Sequence, residues 1–216
     1  MVSKMNKRSH PFMSRRHDTG AHMLIEAAEA AIIRKGYDRV TMRDIAAEAG
    51  CVPGTLYRYF KNKREVVNAI VTRHSGRLHS AIGEALSSSS APLEKLRRAT
   101  ETSVEYFNEN RNFFRMFFTA TSGKPDRVMS DLPARVQRDW RELQELTLEV
   151  IREAQARGQV RRDYSPESIR KFMHGLMTGY LDELSVQEAL PHRREQVRTL
   201  WGFMTGGISG AEGRDA

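Results

Sequence analysis

Apolar residues recur along most of the chain at the three- and four-residue spacings of amphipathic helices. We find neither the two-residue alternation of a strand nor an internal repeat. The first helix begins near Gly20 and ends before Gly36, after the basic pair Arg34 and Lys35, which is typical of a helix C-terminus. The pattern therefore predicts an all-α protein.

Two short helices follow the first one. Thr41 and Asp44 have the spacing of a capping box, so they predict the start of a helix that ends before Gly50. After a tight connection, Val52, Leu56 and Phe60 recur at four-residue spacing. We expect these three side chains to form the inward face of the second short helix.

Longer helices occupy the rest of the chain. Asn62 with Glu65 repeats the cap signature, which predicts a helix from near Lys63 toward Leu86, and the polar stretch 87–92 is the clearest linker. Further helices are predicted to about Asn108, around Phe113–Thr119, through Val136 to Gly158, from Ser165 to about 185 and over 193–205, with a loop at 123–125. We expect a disordered basic arm at 1–18, a first helical domain at 19–65, a larger helical domain at 66–205 and a disordered tail at 206–216.

The charge of the chain is unevenly distributed. Of the 216 residues, the first 75 contain 14 lysines and arginines against 7 acidic residues, whereas the remaining residues contain 21 against 20. Nearly all of the net charge of +8 therefore lies in the first third. Such a basic segment is suited to a polyanion, which by charge alone is DNA, RNA or an anionic membrane.

Composition excludes several classes of protein. A single cysteine, Cys51, allows no internal disulfide, and no apolar run has the roughly 20 residues of a membrane span. We expect a cytoplasmic protein without membrane contact. His74 and His79 are five residues apart, a poor spacing for a shared metal, and hydrolase, phosphate-loop and zinc-protease motifs are missing. We expect no metal, no cofactor and no enzymatic activity.

The two short helices form a predicted helix-turn-helix. In this motif the first helix is braced against the DNA backbone and the second exposes polar and aromatic side chains to the groove. If the Val52 face points inward, Pro53, Gly54, Tyr57, Arg58 and Lys61 lie on or beside the exposed side. Cys51 lies in the turn, where we interpret it as a small packed thiol.

The segment from Thr41 to Lys63 resembles the DNA-binding signature of the TetR/AcrR family of bacterial transcriptional regulators. The most specific part is Gly-Thr-Leu-Tyr-x-Tyr-Phe-x-x-Lys, from Gly54 to Lys63. Many residues match the family pattern over 22–70. Over the rest of the chain the resemblance rests only on chain length and on the all-helical pattern. It implies that 19–65 is a three-helix DNA-binding domain and that 66–205 is a helical ligand-binding and dimerisation domain.

The resemblance also implies DNA contacts at particular positions. Thr41, Tyr59 and Lys63 would contact phosphates, Tyr57 a base or phosphate, and Arg43 a base or the backbone. Pro53, Gly54 and Thr55 would lie nearest the base edges. Few of these side chains can hydrogen-bond to bases, so we expect phosphates to supply most of the affinity, with base reading left to Arg43, Thr55 and Tyr57. For the basic arm, a solvated tail is favoured over a minor-groove contact.

Five of the nine phenylalanines lie within twelve residues, from Phe107 to Phe118. A helix with adjacent aromatic residues is apolar nearly all round, so some rings must face a cavity or a second chain. The resemblance favours a pocket for a small, largely apolar effector. We expect its lining to include Phe114, Phe117, Phe118, Trp140, Met173, His174 and Met177. A histidine such as His174 on an apolar helix is more often a satisfied core residue.

The resemblance further implies a homodimer formed by the last two long helices. We expect the interface to include Phe172, Leu176, Tyr180, Leu184, Leu200, Trp201 and Met204. The dimer would bind a palindromic operator as a repressor. The effector would release it by favouring a geometry that no longer fits the DNA, with the helix from Lys63 as the lever between the two units.

An alternative function is a DNA-binding dimer without ligand sensing. Its C-terminal domain would serve only dimerisation or recruitment of a protein. A closed and filled C-terminal core would support this alternative, whereas a pocket of several hundred cubic ångströms would favour sensing.

Overall fold

A computed structural model of the chain describes residues 11–88, 90–121 and 132–206. The described ranges contain nine helices: α1 (Pro11–Lys35), α2 (Met42–Glu48), α3 (Pro53–Tyr59), α4 (Lys63–Leu86), α5 (Pro92–Glu109), α6 (Arg111–Thr121), α7 (Ala134–Ala156), α8 (Pro166–Val186) and α9 (Arg193–Gly206). The prediction of an all-α protein is confirmed. The chain divides into unit 1, which ends at Ile70, and unit 2, which begins at Val71.

Helix α1 begins earlier than the sequence pattern indicates. Residues 11–18, expected to belong to a disordered arm, are helical, because Pro11 suits the first turn of a helix and no other proline or glycine occurs before Gly20. Residues 1–10 of the expected arm, the 123–125 loop and residues 207–216 of the expected tail lie outside the described residues.

Unit 1 contains α1, α2, α3 and the first two turns of α4. Its core is formed by small and branched apolar side chains that are almost fully buried, among them Ala28, Ile32, Ile45, Ala46, Leu56, Val66 and Ile70. Alanine at 46 leaves α2 little bulk on its buried side, which suits its extensive contact with α1. Burial of each large side chain stabilises the unit by about 1.5–3 kcal/mol.

The ends of the short helices follow from local chemistry. Gly36 ends α1 at φ +81 and Gly50 follows α2 at φ +63, and side chains other than glycine are strained in this left-handed region. Pro53 occupies the first turn of α3, where its missing N–H costs no hydrogen bond.

The prediction that Val52 points inward is wrong. Val52 is 68% exposed, while Leu56 and Phe60 are buried. The reason is its position: Val52 is the N-cap of α3 and has extended backbone angles, so the four-residue spacing of a helix does not apply to it.

Unit 2 is a helical bundle in which α5 packs against α7 and α9, and α8 contacts α6, α7 and α9. Its central cluster contains Leu86, Leu96, Leu143, Val150 and Ile151. Within the part of the chain that the structure describes, each helix is too short or too polar to cross a membrane.

Candidate nucleic-acid interface and ligand cavity

The start of α2 is held by a capping box and an ion pair. The Thr41 hydroxyl accepts from the Asp44 backbone N–H over 3.2 Å, and the Asp44 carboxylate accepts from the Thr41 N–H over 2.9 Å. The Lys35 ammonium lies 2.7 Å from the same carboxylate. The hydrogen bond from Lys35, followed by those from Thr41, lowers the pKa of Asp44 to about 2. Thr41 therefore lies on the surface with its hydroxyl proton directed to Asp44 at 2.8 Å.

Helix α3 separates buried from exposed side chains as a recognition helix requires. Leu56 is buried and fixes the helix to unit 1, whereas Tyr57 is 51% exposed. Pro53 and Gly54 are exposed at its N-terminal end, and Thr55 is half-buried. This end of α3 leaves backbone open to a close approach by another molecule.

Three cations of unit 1 are exposed and available for phosphates. Arg43 on α2, Arg58 on α3 and Lys61 after it form no ion pair with any described residue. Other basic side chains nearby are already engaged: Arg34 lies 2.5 Å from Glu48. Arg58 and Lys61 were not among the expected DNA contacts, although both fall off the Leu56 face of the helix.

Lys63 has a different environment from the one that a phosphate contact implies. Its ammonium lies 2.7 Å from the carbonyl oxygen of Tyr37 and 3.3 Å from those of Asp38 and Val40. The ammonium also lies 4.6 Å from the centre of the Tyr37 ring. An ammonium has three N–H donors, and this loop supplies three acceptors. The geometry favours Lys63 as a brace between α4 and the α1–α2 connection over a phosphate ligand.

Tyr59 is half-buried against α1. A methyl group added at Gly20 would lie 2.9 Å from the Tyr59 hydroxyl oxygen, so only glycine fits there without a shift. The ring of Tyr59 also packs beside Phe60 at 6.4 Å between centroids. This placement supports packing as a role of Tyr59 in addition to the expected phosphate contact. Cys51, in the turn before α3, is half-buried.

Unit 2 contains a partly open cavity of about 290 Å³. The structure brings together at this cavity all seven residues that the sequence analysis named for it: Phe114, Phe117, Phe118, Trp140, Met173, His174 and Met177. Helices α4 to α9 all contribute to the lining. The volume is close to the lower end of the range found for small-molecule sites.

An aromatic cluster forms one side of the cavity. His74 is buried and stacks on Phe113 at 3.8 Å between ring centroids. Its Nδ1 lies 2.9 Å from the hydroxyl oxygen of Tyr106. Phe113 and Phe114 meet edge to face at 5.3 Å. The cluster contributes both to the core and to the cavity wall, as the adjacent aromatic residues of α6 require.

Two polar residues of the cavity differ from expectation. His174 is exposed while still lining the cavity, so its interpretation as a core histidine is wrong. Arg170, which the sequence analysis missed, also lines the cavity. The signal for Arg170 was its spacing, because Met173, His174 and Met177 follow it at three, four and seven residues on one helix face.

Only some of the residues expected at the dimer interface are exposed on the surface of the protein. Phe172 is 68% exposed and Leu176 is 41% exposed on α8. Leu184 and Leu200 are buried within a single protomer, so their assignment to the interface is wrong. Their apolar character serves the core of unit 2, which a helical spacing cannot distinguish from a partner-facing surface.

The other expected interface residues are half-buried. Tyr180 hydrogen-bonds to Thr199, and burial raises the pKa of its hydroxyl. Trp201 packs on the central cluster, and Met204 lines the cavity with its sulfur 3.7 Å from the Thr100 hydroxyl. Phe203, exposed on α9, and the open Gly175 and Gly179 on α8 extend the exposed face and were missed.

Among the described residues, no group of three or more His, Cys, Asp or Glu side chains could hold a metal ion. The chain thus combines a helix-turn-helix, whose second helix exposes its polar side, with a helical bundle that contains an apolar cavity. This combination defines a class of protein: helical DNA-binding transcriptional regulators.

Comparisons with known proteins identify the family. Residues 24–70 match the bacterial regulatory proteins of the tetR family. The HTH-type transcriptional repressor KstR2 of Mycolicibacterium smegmatis is 25% identical over 193 residues, which cover 88% of this chain and 91% of that protein. Residues 24–70 therefore form a DNA-binding segment of the tetR type, and most of the chain is similar to a transcriptional repressor that contains such a segment.

Solved structures share the fold. The regulator FadR of Bacillus subtilis in complex with stearoyl-CoA superimposes with a TM-score of 0.69 at 16% identity, over 87% of this chain and 99% of that chain. The ketosteroid transcriptional regulator KstR2 of Mycobacterium tuberculosis gives a TM-score of 0.69 at 20% identity, over 88% and 95% of the two chains. At such identities the likeness shows the fold.

Proposed function

We propose that this DNA-binding regulator is a repressor that binds a palindromic operator as a homodimer and is released by a small, largely apolar effector. The observation that carries the proposal is the cavity of about 290 Å³ in unit 2, lined mainly by aromatic and aliphatic side chains. A filled core would have favoured the alternative of a DNA-binding dimer without sensing. The cavity favours a sensor.

The DNA-binding part of the proposal rests on unit 1. Tyr57 on α3, with Arg43, Arg58 and Lys61 as uncommitted cations, would contact the operator, while Thr41, Pro53, Gly54 and Thr55 lie on the same two helices and their turn. Phosphate contacts by the cations supply affinity and a strong dependence on salt. A symmetric dimer presents two copies of α3, which explains the expectation of a palindrome.

The effector part of the proposal is supported by the relatives. Two structural neighbours are a FadR in complex with stearoyl-CoA and the ketosteroid transcriptional regulator KstR2, and both stearoyl-CoA and ketosteroids have large apolar bodies. An apolar effector suits the aromatic cluster of α6. Release requires that the effector bind the DNA-incompetent state of the dimer more tightly, since a ligand with equal affinity for both states shifts nothing.

The test is a gel-shift and fluorescence-anisotropy assay with the DNA upstream of the gene for this chain, followed by a screen for molecules that release it. Tyr57→Ala is expected to weaken operator binding by about tenfold or more, because it removes a contact of the recognition helix. Retention of wild-type affinity by this variant would contradict the DNA-binding assignment.

A cavity-filling variant separates sensing from DNA binding. Ala99 lines the cavity on α5, so Ala99→Phe is expected to retain operator binding and lose release by the effector. The matched control is Ala91→Phe, which adds the same ring at the exposed N-cap of α5. Full release of the Ala99→Phe variant by the effector would contradict the assignment of the effector site to this cavity.

A further inference from the structure

Some polar groups that line the cavity have hydrogen-bond partners in the protein, and others have none among the described residues. On α5, the hydroxyls of Thr100 and Ser103 donate to carbonyl oxygens of their own helix over 3.0 and 2.8 Å. His74 and Tyr106 hydrogen-bond to each other. The walls supplied by α4, α5 and α6 therefore offer mainly an apolar and aromatic surface. By contrast, Trp140 of α7 and Arg170 of α8 each have a side-chain nitrogen that forms no such bond within the part of the chain that the structure describes.

Two of these groups are buried donors without an acceptor. The indole N–H of Trp140 and the Nε–H of Arg170 are inaccessible to solvent and have no hydrogen-bond partner in the described ranges. Both residues line the cavity. An indole N–H and a guanidinium can only donate, so whatever satisfies them must be an acceptor. A buried unsatisfied donor costs free energy, which a suitable ligand would recover.

The charges around the cavity also favour a ligand that accepts hydrogen bonds. Arg170 forms no ion pair with any described residue, and none of the cavity-lining residues is acidic. Arg170 is half-buried with its Nε inaccessible to solvent, and a partly desolvated guanidinium favours a counter-charge. A carboxylate supplies both the negative charge and two acceptor atoms that match the planar guanidinium.

We propose that the cavity of unit 2 binds an amphiphile with a carboxylate, whose head is held by Arg170 with the Trp140 N–H as a second donor. Its apolar body lies against the walls formed by α4, α5 and α6. The inference rests on the proposed function, because it names the class of effector that the cavity takes. The volume of about 290 Å³ suits a single chain or a small ring system.

The experiment compares decanoate with decan-1-ol, two probes with the same apolar chain and different heads. Their dissociation constants are measured on the full chain by isothermal titration calorimetry, in the wild type and in Arg170→Gln, Arg170→Lys and Lys171→Gln. Lys171 is the matched control, because it is exposed, adjacent on α8 and absent from the cavity lining. Circular dichroism verifies that each variant is folded.

We expect the wild type to bind decanoate at least about tenfold more tightly than decan-1-ol, the size of effect of one charge-assisted hydrogen-bonded pair. Arg170→Gln should remove this preference, Arg170→Lys should retain part of it and Lys171→Gln should retain all of it. A Trp140→Phe variant, which keeps an aromatic ring and loses the N–H, should weaken decanoate by about threefold or more and leave decan-1-ol unaffected. Equal affinities in the wild type, an unchanged preference in Arg170→Gln, or no binding of either probe would overturn the proposal.

Operator release is measured separately with the same probes. If decanoate binds in an Arg170-dependent manner and leaves the operator complex intact, the inferred ligand class stands and the proposed release fails. If an uncharged molecule releases the operator equally well from the wild type and from Arg170→Gln, release stands and the inference about the carboxylate fails.

Discussion

At the scale of single residues, Lys63 illustrates how one side chain connects distant parts of the sequence. Its ammonium is bound to the carbonyls of Tyr37, Asp38 and Val40, which are more than twenty residues earlier. These carbonyl oxygens lie in the connection between α1 and α2 and are not acceptors for helix α2. The lysine therefore satisfies acceptors that would otherwise need water. Its position at the start of α4 thereby fixes the geometry of the helix-turn-helix.

Replacement of Lys63 tests this bracing role. We expect Lys63→Met to lower the free energy of unfolding by about 1–3 kcal/mol, because hydrogen bonds from a charged donor to three carbonyls are lost. Urea denaturation of the full chain measures the change. If Lys63 were chiefly a phosphate ligand, the variant would keep its stability and its operator binding would show a salt slope reduced by about 0.9.

Lys61→Met is the matched control. Lys61 is exposed two residues earlier and forms no ion pair within the described part of the chain. We expect this variant to keep its stability within about 0.5 kcal/mol and to lose the phosphate contact, with the smaller salt slope. Equal destabilisation by the two substitutions would contradict a specific brace.

Single residues also mark where sequence reasoning succeeds and fails. The capping pair Thr41 and Asp44 was predictable because it is local, three residues apart. The role of Lys63 was not, because its acceptors are remote in sequence. Arg170 shares the helix face of predicted cavity residues, but apolar spacing does not identify a charged residue, and only the three-dimensional packing places its unpartnered Nε at the cavity.

At the scale of elements, α2 depends on its capping box more than on its length. The helix has seven residues, too few to be stable in isolation, and its first turn is closed by Thr41 and Asp44. Lys35 at the end of α1 adds an ion pair to Asp44. The chain thus joins the C-terminus of α1 to the N-terminus of α2 through one carboxylate.

The carboxylate makes the stability of α2 dependent on pH. The pKa of Asp44 is lowered from 3.8 to about 2, so the folded state favours the charged form. This stabilisation is complete above about pH 3.8 and is lost as the pH falls through about 2. We expect Asp44→Asn to lower the melting temperature at pH 7, with a difference from the wild type that shrinks across this acidic window.

Thermal unfolding followed by circular dichroism from pH 7 to pH 2 measures the effect. Asp38→Asn is the matched control, because the Asp38 carboxylate is exposed and makes no ion pair with the residues described. A difference between wild type and Asp44→Asn that is constant over the whole range would show that the charge of Asp44 contributes nothing.

The elements of the bundle show a second limit of prediction. The bounds of α8 and α9 lie within one residue of those expected from their apolar spacing and caps. The same spacing placed Leu184 and Leu200 at a dimer interface, and both are buried in the protomer. A helical period identifies an apolar face, but which neighbour covers that face depends on the packing of elements distant in sequence.

At the scale of the whole molecule, the exposed apolar residues of α8 and α9 are the place where we expect a second copy. Phe172, Leu176 and Phe203 are large and exposed, and Gly175 and Gly179 leave open space beside them. Large exposed apolar side chains, such as Phe172 and Leu176 four residues apart on one face of α8, are typical of protein interfaces. Small residues between them allow two helices to approach closely.

We therefore expect Phe172→Glu to convert a dimer into a monomer, because it places a charge in a desolvated interface. Sedimentation velocity of the full chain measures the mass. Met23→Glu is the matched control: Met23 is exposed to 65%, close to the 68% of Phe172, and belongs to unit 1. A monomeric Met23→Glu variant, or a dimeric Phe172→Glu variant, would contradict this assignment.

Leu184→Ala distinguishes the core from the interface on the same helix. We expect it to lower the free energy of unfolding by about 2–5 kcal/mol, because it opens a cavity around a fully buried position. Dimerisation of the fraction that remains folded should be unchanged. Urea denaturation combined with sedimentation measures both properties.

The empty volume inside unit 2 has a consequence for the lifetime of the protein. A ligand that occupies the cavity of the native chain and ignores the unfolded chain adds stability of RT ln(1 + [L]/Kd), about 2.7 kcal/mol at a concentration of 100 Kd. Proteases degrade chains from their open states, so added stability slows turnover. Under the proposed function, the effector would then raise the abundance of the regulator that it releases from DNA, and the cell would return to repression with a larger pool once the effector is consumed.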